Sequence, residues 1–184
     1  MIIWIIPAVI IVGIIIWLIG IYNKLVRNKN MVEEGWSGIE VQLKRRSNLI
    51  PNLIEAVKGY MGHEEKLLSE ITQLRSQSKK IQAVAEKSKV ETALTRSLGN
   101  LIAVAESYPD LKANQNFLDL ADELSQIENE IQMARRYFNG TVRNLNIMIE
   151  AFPSNLVAGQ FGFAKAEFFE IEDPGDRKLP EVKF

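Results

Sequence analysis

The chain has no cysteine among its 184 residues and a single histidine, His63. Without thiols it can form no disulfide, zinc-thiolate centre or thiol nucleophile. A lone imidazole cannot supply the clustered ligands of a histidine metal site, so His63 reads as an ordinary residue near a helix start. The net charge of −1 leaves no basic excess of the kind a nucleic-acid binder carries. There is no glycine-rich phosphate loop, no Ser-His-Asp set and no carboxylate pair that stands apart from the solvated faces. The side-chain arrangements of catalysis are missing, and neither an enzyme activity, a cofactor nor a small-molecule substrate is expected.

Charge is also absent locally. The first 22 residues carry no charged side chain, and Lys24, Arg27 and Lys29 follow at once. At about 1.5 Å per residue such a run covers the roughly 30 Å hydrocarbon core of a bilayer. A cleaved signal peptide would need a basic start, a shorter apolar core and a small-x-small site, and 18–22 offers no such site. Residues 1–22 therefore read as an uncleaved transmembrane span. Trp4, Trp17 and Tyr22 lie near its ends, as interfacial aromatics do. Because the flanking cations all follow the span, the N-terminus is expected outside and the rest of the chain in the cytoplasm. The chain is expected to cross the membrane once.

Beyond the span the dominant signal is a heptad pattern. Val32, Trp36, Ile39, Leu43, Arg46, Ile50, Leu53, Val57 and Tyr60 alternate steps of four and three, in phase with Leu18, Tyr22 and Leu25. One helix is expected to leave the membrane and run to residue 60. A second stripe (Leu67, Ile71, Leu74, Ile81, Ala85, then Leu94, Leu98, Leu101 and Ala105) slips phase at the polar tetrad 86–89. No Gly or Pro marks the slip, so a single distorted helix over 64–107 is favoured over two shorter ones. Tyr108-Pro109-Asp110 closes it. A third stripe runs through Phe117, Leu120, Leu124, Ile127, Ile131, Ala134, Phe138, Val142, Leu145, Ile149 and Phe152 to Pro153.

Sustained 3-4 spacing predicts an all-α, coiled-coil-like, antiparallel up-and-down bundle of three long helices. A short C-terminal helix is expected around 158–170, with a turn at 173–176. The expected divisions are a span at 1–22, a bundle at 23–153 and a C-terminal segment at 154–184.

Two features break the pattern. Pro51 sits inside the first helix, where it removes a hydrogen bond to the carbonyl four residues back. Ser47, Asn48 and Asn52 are the nearest groups able to satisfy what is freed. Arg46 falls on the apolar seam, where a cation must be paired or reach outward. On the third helix Asn139 and Asn146 lie seven apart on one face, beside Arg136 and Arg143, with Glu128 and Glu130 within reach in sequence. Arg46, Asn52, Asn139 and Asn146 are thus candidates for a buried polar network. Such a set fixes register in many helical bundles, and that structural role is favoured over a ligand pocket.

Several blocks resemble the LemA family: Tyr22-Asn23-Lys24-Leu25-Val26, Leu43-Lys44-Arg45-Arg46, Leu49-Ile50-Pro51-Asn52-Leu53, Tyr108-Pro109-Asp110-Leu111-Lys112-Ala113 and Ala134-Arg135-Arg136-Tyr137-Phe138-Asn139. Asn146, Phe152-Pro153, Gly162-Phe163 and Phe168-Phe169-Glu170 extend the likeness to nearly the whole chain. The family pattern usually has Tyr before the third-helix Asn, where this chain has Phe138. The resemblance implies a single-span bacterial inner-membrane protein with a helical bundle and no agreed activity. A similar domain occurs in a protein of magnetosome membranes, which points to membrane organisation. The role expected is a non-enzymatic scaffold or adaptor whose partners are the bilayer and a second copy or another membrane protein. A regulatory accessory subunit of a membrane enzyme, such as an envelope-stress protease, is the alternative.

Overall fold

The computed structural model of the chain describes residues 2–62 and 64–169. Six helices occur among them: α1 (Ile2–Lys58), α2 (Glu65–Ser78), α3 (Val84–Ala105), α4 (Pro109–Lys112), α5 (Gln115–Glu150) and α6 (Ser154–Gln160). No strand occurs among the described residues, so the all-α class expected from the periodicity is the one observed. His63 and the 173–176 turn lie outside the described residues. The rest form two compact units, 2–41 with 132–167 and 42–131 with 168–169, and both α1 and α5 contribute to each.

In the first unit α1 and α5 run antiparallel. Asn28 Nδ2 donates to Met148 Sδ at 3.2 Å, and seven residues on Gly35 meets Tyr137 and Phe138. A Cβ at Gly35 would lie 3.2 Å from Phe138 Cα, so the missing side chain is what lets the helices approach there. Trp36 then packs on Phe138 with ring centroids 5.6 Å apart. Leu25, Leu145, Val157 and Ala158 form the buried centre, flanked by Ile21, Val32, Met148 and Phe163.

The C-terminal helix is earlier and shorter than the sequence pattern suggested. It ends because Gly162 adopts φ 71°, the left-handed conformation of a helix stop. Phe163 N–H donates to the Ala158 carbonyl and Gly162 N–H to that of Gly159, the paired bonds of a Schellman cap. Residues 163–169 follow without regular structure.

The second unit departs further from expectation. The anticipated single helix over 64–107 is two helices, α2 and α3, and the reversal falls at 79–83 rather than in the polar tetrad 86–89. Ser78 bonds to Glu91, Ser97 Oγ donates to Glu70 at 2.9 Å, and Tyr108 Oη donates to Glu64 at 2.6 Å. Successive partners thus run in opposite directions, and α3 folds back along α2. Folding back lets Leu68 and Ile71 from one arm, and Leu94, Leu98 and Leu101 from the other, join the same core. Tertiary burial decides the break, since no local breaker is present. With the neighbouring parts of α1 and α5 the result is a four-helix, up-down-up-down packing around Leu43, Ile50, Leu53, Val57, Leu124 and Ile127.

Pro51 is accommodated inside α1 by this second unit. Its missing N–H leaves the Ser47 carbonyl without an intrahelical donor, and Arg75 Nε of α2 donates to that carbonyl at 2.6 Å. The repair is therefore tertiary. Asn48 and Asn52 are exposed, and the buried Ser47 hydroxyl has no hydrogen-bond partner.

Arg75→Ala should lower stability by about 1–3 kcal/mol, the cost of an unsatisfied buried acceptor. In a Pro51→Ala background, where residue 51 again supplies an N–H, the same substitution should cost clearly less. Equal losses in both backgrounds, measured by thermal or denaturant unfolding, would show that Arg75 acts on something other than the Ser47 carbonyl.

Candidate functional site

Arg46 is 1% exposed and sits at the centre of a polar layer within the second unit. The seam of α1 aims it inward, because position 46 occupies the same face as Leu43, Ile50 and Leu53. Its Nη1 donates to Glu128 Oε1 and, at 2.6 Å, to Thr95 Oγ1. Its Nη2 donates to Glu91 Oε2 and, at 3.4 Å, to the Glu91 carbonyl. The layer closes on itself: Thr95 Oγ1 donates to Glu128 Oε2 at 3.2 Å, and Ser78 Oγ donates to Glu91 Oε1. All four packed helices contribute, α1 with Arg46, α2 with Ser78, α3 with Glu91 and Thr95, and α5 with Glu128.

One guanidinium thus faces two carboxylates, and only its Nε lacks a hydrogen-bond partner. Glu91 is buried, while Glu128 keeps about a fifth of its side chain exposed. Its two hydroxyls, Ser78 and Thr95, donate to carboxylates that are already paired with the Arg46 guanidinium. No group of three or more metal-ligating side chains occurs among the described residues. The layer ties α1, α3 and α5 together by charge and α2 by a hydroxyl, and a slip of α1 against α3 would leave Glu91 buried without its counter-charge.

The four residues singled out in the sequence lie in different surroundings. Arg46 is the hub, but its bonds go to carboxylates and a threonine rather than to the three asparagines. Asn52 is exposed on α1. Asn139 and Asn146 are half-buried in the first unit. Asn146 grips the backbone of Ala166 from both sides, donating to its carbonyl at 3.0 Å and accepting from its N–H at 2.9 Å. That pair pins the extended segment after α6 to α5.

Glu128 was within reach in the sequence, whereas Glu91, Ser78 and Thr95 carried no label. A signal for Glu91 existed: with Leu94, Leu98, Leu101 and Ala105 it continues the seam of α3 in steps of three and four. A carboxylate on one seam is the natural partner for a cation on another. At the far end of the same unit the Glu64 carboxylate accepts from Tyr108. That hydrogen bond, with burial and the carboxylate charge adding to it, raises the phenol above its ordinary 10.0.

Arg46→Ala should destabilise the protein by roughly 3–5 kcal/mol, because Glu91 stays buried without its counter-charge. A triple replacement, Arg46→Met with Glu91→Leu and Glu128→Leu, should recover much of that loss, since well-packed apolar groups can match a buried ion cluster. Thermal unfolding of the two variants beside the parent checks this. A triple variant no more stable than Arg46→Ala would mean the layer holds the bundle by more than charge compensation.

The chain is similar to known proteins along most of its length. The profile of the LemA family matches residues 35–184. "Protein LemA" of Metamycoplasma hominis is 31% identical over 157 residues, covering 84% of this chain and 71% of that protein. "Magnetosome protein MamQ 2" of Paramagnetospirillum magneticum is 24% identical, covering 86% of this chain and 68% of that protein. "Magnetosome protein MamQ" of Magnetospirillum gryphiswaldense is 23% identical with the same coverage. The profile match takes in the Arg46 layer, the α2–α3 reversal and the Asn146 clamp alike, and the chain belongs to the LemA family.

Proposed function

We propose that this protein is a membrane-anchored, non-enzymatic helical scaffold on the cytoplasmic face of the bacterial inner membrane, with residues 1–22 as its single span. The N-terminal part of α1 is long and apolar enough to cross a bilayer, and every described side chain from Trp4 to Gly20 is exposed. Relatives named as magnetosome proteins favour a role in a membrane setting.

The observation that carries the scaffold reading is an exposed apolar stripe on α5. Met133, Tyr137 and Ile147 are 47%, 45% and 54% exposed, and their spacing of four and ten places them on one heptad face. Tyr137 keeps that exposure although its ring lies beside Gly35 of α1. In the second unit, by contrast, the charged groups of the Arg46 layer are turned inward on one another. The interior serves register and the outside offers a surface for assembly.

Topology is read by single cysteines in this cysteine-free chain. An impermeant maleimide should label a cysteine placed before Met1 from outside intact cells and leave one at Glu123 protected. The opposite pattern would invert the orientation.

For the scaffold itself, a photoreactive group at position 137 should give a small number of discrete adducts in intact membranes, and one at position 123 should give none. An adduct with the chain's own mass identifies assembly. An adduct with one membrane enzyme at equal stoichiometry identifies an accessory subunit instead. Absence of any adduct at 137 would sink the proposal.

A further inference from the structure

Residues 151–164 contain no charged side chain, and Glu150 and Lys165, which bound the stretch, form an ion pair. The segment is therefore an uncharged hairpin, closed at its base by charge. It contains α6, whose polar side chains are the half-buried Ser154 and Asn155 and the exposed Gln160. Val157 and Ala158 turn into the core with Leu25 and Leu145. On the outside Phe152, Leu156 and Phe161 are 80%, 64% and 62% exposed.

The hairpin's place along α1 is defined within the first unit. The antiparallel register, in which Asn28 meets Met148, brings Glu150 within about a turn of Lys24. Beyond that level the hairpin follows α1 toward its N-terminus. Tyr22 packs against Phe161 and Phe163, with ring centroids 4.8 and 5.9 Å apart. An apolar groove of about 470 Å³ lies between Ile15, Leu18 and Ile19 of α1 and Leu156, Val157 and Phe161 of the hairpin. Ile15 stands nine residues, roughly 13 Å, beyond Lys24, less than the roughly 15 Å of hydrocarbon in one leaflet.

We propose that this hairpin is a second bilayer-embedded element, sunk in the leaflet nearest the bundle, and that lipid acyl chains fill the groove between it and α1. The proposal rests on residues 1–22 crossing the membrane. Lipid is the occupant because one wall of the groove is the side of the span itself, and apart from Gln160 and the Tyr22 hydroxyl the side chains lining it are apolar. The ring of Lys24, Glu150 and Lys165 marks where charge resumes on both elements.

Hydrocarbon also demands that backbone groups be paired internally. Ala151, Asn155, Leu156, Phe161, Gly162 and Phe163 each donate their N–H to a carbonyl of α5 or of the hairpin, and Pro153 has none to satisfy. These bonds remove much of the unpaired backbone that an ordinary loop would carry into hydrocarbon.

The test uses the full chain in vesicles of phosphatidylcholine and phosphatidylglycerol. Nitroxide labels are placed singly at Leu156→Cys and Phe161→Cys, with Phe152→Cys as a further hairpin site. Ile10→Cys serves as the span reference and Glu123→Cys as the water reference. Collision with oxygen is compared with collision with a water-soluble nickel chelate. The hairpin labels should match position 10, favouring oxygen severalfold, while position 123 favours nickel.

Nickel-favoured hairpin labels beside an oxygen-favoured position 10 would overturn the hairpin proposal and leave the span standing. A nickel-favoured position 10 would overturn the span, and the proposal with it. Hairpin labels shielded from both reagents would mean that protein, not lipid, covers the groove, and would also overturn it.

Discussion

A guanidinium with no route to water must find its counter-charges inside, and Arg46 makes that demand of the second unit. Its position on the α1 seam is fixed by the heptads on either side, so it cannot swing out. Glu91 and Glu128 must then reach it from α3 and α5, and Ser78 from α2 holds Glu91 in place. Four helices thus meet in one layer around a single residue. Apolar packing at Ile50, Leu53, Leu98 and Ile127 supplies the bulk of the burial, but it is non-directional and would tolerate a slip of one heptad. The charged layer would not.

The sequence made the helices legible where their periodicity was long and unbroken. The apolar seam of α5 from Phe117 to Leu145 is buried or half-buried almost as its spacing implies. The seam of α1 from Leu25 to Val57 behaves the same way. Legibility failed where the cause was tertiary. Nothing local in Lys79-Lys80-Ile81-Gln82-Ala83 announces a reversal, which follows from what α2 and α3 gain by sharing a core. Arg46 showed that partners were needed without showing which ones. The asparagines were visible as polar residues on helices, but Asn146 spends its amide on a backbone segment, and no side-chain pattern encodes that choice. The stop after α6, by contrast, could have been read from Gly162.

Family kinship and membrane character come from separate parts of the chain. The family profile begins at residue 35, beyond the apolar run that starts α1. The residues that profile matches include those of the charged layer, the α2–α3 pair and the Asn146 clamp. The apolar N-terminus and the uncharged turn after α5 meet at one end of the first unit, so its water-avoiding surface draws on two stretches more than 120 residues apart in sequence.

The Ser47 carbonyl bears on the order in which the chain can mature. During synthesis α1 leaves the ribosome before Arg75 has been added, and at that stage the carbonyl opposite Pro51 has only water to bond. The first helix is therefore provisional near its C-terminal end, free to bend there while the longer part before it engages whatever surroundings it meets. Once α2 has formed and turned back, Arg75 seals the gap, and the bend is no longer available. A single proline thereby makes completion of the earliest helix contingent on the next one.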